Sequence, residues 1–186
     1  TGLAKVYHPT TAATVNLTDN RLANDALTVS YGGAAFADKN AGNGKTVTVS
    51  GLTIGGADAG NYVIDTSAAT ATTANIGKAQ LTVGAAAIDK VYDATTRATV
   101  TLNDNRLGTD QLTLAYGTAA FADKNAGNGK TVSVDGITVT GADAGNYAVN
   151  TGTSTTANIA KAQLTVGATG VDKVYDTTTV ATVALN

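Results

Sequence analysis

Cysteine, tryptophan, methionine and glutamate are all missing from this chain of 186 residues. Without cysteine there is no disulfide, no thiolate nucleophile and no cysteine-based metal site. The acidic side chains are all aspartate, 14 of them. Aspartate suits turns where glutamate suits helix, so this usage points away from helix. Histidine occurs once, as His8, and the matching positions later in the chain hold Asp93 and Asp176. A Ser-His-Asp mechanism is therefore excluded from the later part, and no enzyme activity is expected. Phenylalanine occurs twice and proline once. The hydrophobic fraction of 43% is largely alanine, so a core must be assembled from thin layers of Val, Leu, Ile, Tyr and Ala.

The formal net charge is −2. It offers no basic face to a polyanion, so neither nucleic acid nor an anionic membrane is expected as a partner. No run approaches the roughly 20 apolar residues needed to span a bilayer, so no membrane insertion is expected. No metal or cofactor is expected either. Calcium takes about six to eight oxygens, and Asp19-Asn20 and Asp104-Asn105 supply too few in sequence, so they read as Asx turns.

What the chain has is repetition. Gly56-Ala57-Asp58-Ala59-Gly60-Asn61-Tyr62 recurs unchanged at Gly141 to Tyr147, 85 positions later (141 − 56). Lys5-Val6-Tyr7 recurs at Lys90-Val91-Tyr92 and Lys173-Val174-Tyr175. Phe36 to Val47 matches Phe121 to Val132, and Lys78 to Ala85 matches Lys161 to Ala168. Near-identical tandem copies indicate an array of modules. The predicted units are residues 1–77, lacking an opening strand, 78–160, and 161–186 as the opening of an incomplete third. Two residues are lost between Tyr147 and Asn158 relative to the first copy, which predicts a loop there.

Inside each copy, apolar residues alternate with Thr, Ser and Ala, as on a half-solvated antiparallel sheet. Leu27, Val29 and Tyr31 share one face, and Val47 and Val49 another; Val15 with Leu17 and Leu81 with Val83 form further strands. The phase slips at Ser50-Gly51 and again at Asp135-Gly136, which predicts a bulge or a two-residue hairpin. Gly42-Asn43-Gly44-Lys45-Thr46 imitates the end of a phosphate-binding loop, but Lys39 stands where the first glycine belongs and a strand follows. It reads as a hairpin turn.

The repeated heptad carries the predicted structural corner: Asp58, Gly60 and Tyr62, with Asp143, Gly145 and Tyr147. Asp and Gly shape a tight turn by side-chain bonding and freedom at positive φ. The Tyr opens the next strand with its ring inward and its hydroxyl bonded back to backbone, as in the tyrosine corner of immunoglobulin-like sandwiches. The expected fold is therefore all-β, with tandem immunoglobulin-like β-sandwich modules joined end to end. A β-grasp-like module is the alternative, and it needs a helix that the sequence does not show.

Lys90-Val91-Tyr92-Asp93-Ala94-Thr95-Thr96, Phe121-Ala122-Asp123-Lys124-Asn125 and Gly141 to Tyr147 together resemble the YDG-type repeat of bacterial surface adhesins, including filamentous-haemagglutinin-like exoproteins. The eponymous Tyr-Asp-Gly reads Tyr92-Asp93-Ala94 and Tyr175-Asp176-Thr177 here, and Tyr7-His8-Pro9 in the first copy. The resemblance implies a secreted or bacterial cell-surface location and a stalk or spacer role in adhesion or matrix. A glycan- or protein-binding module on the same scaffold is the alternative. The expected partners are copies of the chain itself, head to tail by strand addition through residues 161–186, or a host or matrix glycan or protein. Packing of that tail on the second copy of its own chain is the other arrangement.

Overall fold

The computed structural model describes residues 1–65 and 71–185. Among the described residues the fold is all-β, 48% strand and 3% helix, with curled sheets. In the second copy, Gly127–Asp135 is the central strand. It pairs antiparallel with Thr118–Phe121 on one side and with Gly152–Ala160 on the other, and Lys90–Val91 adds parallel to Gly152–Ala160. Three two-stranded ladders complete this copy. Thr113–Ala115 pairs with Thr138–Thr140, Val83–Ala87 pairs with Val100–Asp104, and Ala79–Leu81 lies parallel to Tyr147–Val149. In the first copy, Gly33–Phe36, Gly42–Ser50, Ala71–Gly77 and Lys5–Val6 repeat the four-stranded sheet, and Thr28–Ser30 pairs with Thr53–Gly55.

Alternation explains the core. Val47, Val49, Val132 and Val134 face inward from the central strands, against Phe36, Ile76, Phe121 and Ile159. Burying each such side chain contributes about 1.5–3 kcal/mol. Threonines between them face solvent.

Several expectations are corrected. The phase slip at Ser50-Gly51 is neither a bulge nor a hairpin. Gly42–Ser50 and Thr53–Gly55 belong to different sheets, so the slip is the point where the chain leaves one sheet for another. The Gly32 amide donates to the Ser50 carbonyl at 2.9 Å and fastens the crossing. The bulge lies instead at Gly42-Asn43-Gly44, where the register against Ala71–Gly77 shifts between Gly42 and Lys45. The same stretch lies in the hairpin connection of residues 38–45, which the Ala37 amide closes by donating to the Thr46 carbonyl at 2.9 Å. Val15 and Leu17 form no strand in the first copy, where only a Gly2–Val15 bridge is present, because a strand requires a partner; their counterparts in Val100–Asp104 have one in Val83–Ala87. The predicted loop before Asn158 is the turn at Asn150-Thr151, and its first-copy counterpart runs into residues 66–70, outside the described residues. Residues 161–185 do not pack on the second copy: Ala168–Val171 pairs with Thr182–Leu185, and both strands are exposed throughout.

The third residue of the Tyr-Asp-Gly motif explains itself. Ala94 has φ 64° and Thr177 has φ 63°. Left-handed backbone costs a side-chain-bearing residue about 1–2 kcal/mol, whereas glycine adopts it freely. Asp93 holds the turn in spite of this cost: its Oδ1 accepts from the Thr95 amide at 2.9 Å and from Lys90 Nζ at 2.8 Å. Ala94→Gly is expected to raise the stability of the chain by about 1 kcal/mol, read as a higher urea midpoint at unchanged slope.

The glycine corner is shifted too. Gly60 and Gly145 do not take positive φ, and a Cβ there meets nothing within 4 Å. The left-handed residues are Gly56 at φ 110° and Gly141 at φ 117°. A Cβ on Gly141 would sit 2.3 Å from the Gln111 carbonyl oxygen. Gly145→Ala is expected to leave the unfolding midpoint within about 0.5 kcal/mol of the parent, and Gly141→Ala to cost about 2 kcal/mol or more. Equal effects of the two would refute this placement.

Candidate functional site

The corner builds a site by bringing two carboxylates and a tyrosine to the end of the second copy. Ala144–Asn146 forms a single 3-10 turn that delivers Tyr147 into an extended conformation. Asp143, just before the turn, does not cap it. Its Oδ2 accepts from the Gln111 amide at 2.9 Å, tying the corner to the segment before Thr113–Ala115. The Tyr147 hydroxyl accepts from the Leu107 amide at 3.0 Å and donates to Asp110 Oδ2 at 2.6 Å.

The first copy completes the site. Tyr7 donates its hydroxyl proton to the same Asp110 oxygen at 2.8 Å. The Tyr7 and Tyr147 rings meet edge to face, with centroids 5.5 Å apart and planes at 72°. Lys39 reaches Asp110 Oδ1 at 3.1 Å and Asp143 Oδ1 at 2.7 Å, with its ammonium over the Tyr7 ring. Beside it the Asn146 side chain accepts from the Ala41 amide at 2.9 Å and donates to Asn40 Oδ1 at 3.2 Å. Tyr7, Asp110, Asn146 and Tyr147 are all buried. Two tandem copies are thus joined by a buried polar network in which every group has a partner.

Burial pushes the Asp110 carboxyl up, and the hydroxyls of Tyr147 and Tyr7 with the Lys39 ammonium more than reverse it, holding it below the usual carboxylate range. Lys39 beside it holds the Asp143 carboxyl down as well, and in return Asp143, Tyr7 and Asp110 keep the lysine charged. Burial, then the bond to Asp110, pushes Tyr147 up to about 12.

Of the predicted corner residues, Asp143 and Tyr147 enter this site, and Gly145 only carries the chain between them. Their copies stay apart from it. Tyr62 is half-buried, accepts from the Leu22 amide at 3.0 Å and donates to Asp25, the counterpart of Asp110. Asp58 Oδ2 accepts from the Ala26 amide at 2.8 Å, and Gly60 is exposed. Sequence reasoning missed Tyr7, Lys39, Asp110 and Asn146. Tyr7, Lys39 and Asn146 lie in repeated blocks and Asp110 recurs as Asp25, so each carried a signal, but nothing in one copy says which residue of the next it meets. His8 is exposed and its Nδ1 lies 3.3 Å from Thr10 Oγ1. Among the described residues no group of three or more His, Asp, Glu or Cys side chains is placed to hold a metal, and no helix is long and apolar enough to cross a membrane.

With Asp110 and Asp143 depressed in the folded state, their contribution is full above the unfolded carboxyl range near about 4 and is lost as pH falls through the folded values. The stability difference between the parent and Asp110→Asn should therefore be constant from pH 7 to 5 and shrink below pH ~4. Urea midpoints at a series of pH values check this, and a difference that grows on acidification would contradict the assignment.

The sequence profile of the YDG domain matches residues 1–74 and 76–157. No curated protein and no solved structure matches the chain. The YDG name is attached to modules that bind methylated cytosine in DNA. On this match the assignment to filamentous-haemagglutinin-like surface adhesins is withdrawn, and with it the stalk, cell-adhesion, secreted and biofilm reading, which no relative supports. The exclusion of nucleic acid is withdrawn as well. It rested on net charge, a property of the whole chain that does not describe one local site. Head-to-tail self-association is not shown, and residues 161–185 stand exposed.

Proposed function

We propose, for a chain that belongs to the YDG domain family, that it is a non-enzymatic recognition module in which two domains are docked into one body. The observation that carries this reading is the buried junction of Tyr7, Lys39, Asp110, Asp143 and Tyr147. A surface that met the next domain only by chance would not place a nearly fully buried carboxylate opposite two hydroxyls and an ammonium. Leaving the buried Asp110 carboxylate without its partners costs several kcal/mol. The absence of catalysis is part of the proposal, and it is supported by the saturation of Asp110, whose oxygens all have donors. On this reading the domains divide near residues 78 and 161. Each domain is a variant of the two-sheet immunoglobulin-like sandwich, with a parallel strand added to one sheet.

A second reading follows from the YDG name, namely DNA bearing methylated cytosine. Such a base is taken out of the stack, held by stacking and read on its hydrogen-bonding edge, while phosphates are met by free cations. Here Arg21, Lys39, Lys45, Lys90, Arg106, Lys130 and Lys173, seven of the 12 Lys and Arg, are paired with aspartates. Lys5, Lys78, Arg97, Lys124 and Lys161 lie outside these pairs and are the cations left for a phosphate track.

Scanning calorimetry tests the docking. The parent chain is expected to unfold in a single transition, and Asp110→Ala to split it in two, with the first-copy transition little changed in enthalpy. Two independent transitions in the parent would refute the docked body. Fluorescence anisotropy with methylated and unmethylated duplexes decides the second reading: saturable binding that prefers the methylated duplex and weakens with salt would establish it.

A further inference from the structure

Two copies of one reactive dipeptide stand in identical sequence but unequal surroundings. Asn43-Gly44 and Asn128-Gly129 both lie in the stretch Ala-Gly-Asn-Gly-Lys-Thr-Val. Both asparagines and both glycines are exposed. Each pair occupies a bulge: the register shifts between Gly42 and Lys45, and again between Gly127 and Lys130. Residues inside a bulge are released from the ladder and have room to turn. Gly44 and Gly129 each have φ 59°, and a Cβ there would meet nothing within 4 Å. With no side chain on the glycine, the approach of its nitrogen to the preceding asparagine is open. One bond restrains that nitrogen in each copy. The Gly44 amide donates to Asn75 Oδ1 and the Gly129 amide to Asn158 Oδ1, both at 2.8 Å. Only the second acceptor is itself clamped by a carboxylate. Asp89 Oδ1 accepts from the Asn158 backbone amide at 2.7 Å, and Asp89 Oδ2 accepts from Asn158 Nδ2 at 2.9 Å. In the first copy Ala4 stands at the position of Asp89, and the exposed Asn75 has no such clamp.

We propose that Asn43 is a self-modification site that loses its side-chain amide to give aspartate and isoaspartate, and that the clamp of Asp89 on Asn158 protects Asn128 from the same reaction. The co-reactant is water. The Gly44 nitrogen bonds to Asn43 Cγ and gives up its proton; the Cγ–Nδ2 bond breaks, and ammonia leaves with that proton. Water then opens the cyclic imide at either carbonyl, which yields the two acids. A backbone nitrogen engaged as a hydrogen-bond donor attacks only after the bond opens, so the rate follows the local opening. Bonds to a carboxylate are the stronger kind, so the clamp holds Asn158, and with it Gly129, closed for more of the time. The product alters the first copy at two points. A carboxylate appears in the surface depression that Asn43 shares with Lys78. Isoaspartate also adds a carbon to the main chain of the bulge, close to Ala41, whose amide bonds Asn146 at the junction.

The test is incubation of the full chain in mildly alkaline buffer, with timed samples digested and read by electron-transfer tandem mass spectrometry, which separates isoaspartate from aspartate. In the folded chain acid is expected at position 43 at least ~3-fold faster than at position 128. In denaturing urea only the shared local sequence remains, and the two rates should be equal. Asp89→Ala should bring the rate at position 128 up to that at position 43 and leave position 43 unchanged. Asn75→Ala should speed position 43 alone. Three results would overturn the proposal: no acid at position 43 while the chain in urea is converted, equal rates in the folded parent, or an unchanged rate at position 128 in Asp89→Ala. So would a difference that persists in urea, because it could not come from the fold. The comparison within the parent chain needs no variant, so it stands whether or not Asp89→Ala folds.

Discussion

The buried carboxylate of Asp110 stands at the centre of the polar contacts that join the two copies. It lies almost out of water, and a charge in that position is tolerated only when its lone pairs are met. Two phenolic hydroxyls and one ammonium meet them, and these come from both copies: Tyr147 from its own, Tyr7 and Lys39 from the preceding one. The dependence is mutual, because the hydroxyls of Tyr7 and Tyr147 are also buried and find their acceptor in Asp110. Removing one partner strands the others. That is why the relative placement of the copies is specified by a polar cluster rather than by apolar area alone.

The same corner in the first copy shows what the junction contributes. Asp25 and Tyr62 make the same bond as Asp110 and Tyr147, and Asp58 ties back to Ala26 as Asp143 does to Gln111. What differs is the neighbour. Tyr147 is buried and Tyr62 half-exposed, although the heptads that contain them are identical. Equal local sequence thus yields equal local geometry, and burial is decided by what stands opposite.

Strand pairing obeys the same rule. Val100–Asp104 is a strand because Val83–Ala87 lies beside it, whereas Val15 and Leu17, with the same alternation, have only a bridge to Gly2. A strand's backbone groups require a partner across the ladder, so the alternating pattern states a capacity that the neighbour realises.

The sequence by itself determined the all-β character, because period-two alternation and the absence of glutamate leave little room for helix. It also determined the repeat spacing, and the tight turn before Tyr62 and Tyr147, because the residue types that make such a turn are local. It did not determine which glycine carries the positive φ. Gly56 and Gly141 do so because the chain there runs within contact of the Ala26 and Gln111 carbonyls, residues about 30 positions away. Nor did it determine that the phase slip at Ser50-Gly51 is a change of sheet, since a slip in alternation reads the same whether the chain kinks, reverses or crosses. The junction lay furthest from reach. Tyr7 and Asp110 are 103 residues apart, and Lys39 and Asp110 are 71 apart. Repetition marks all of them equally in each copy, and only the packing of one copy against the next selects which face of the first meets which end of the second.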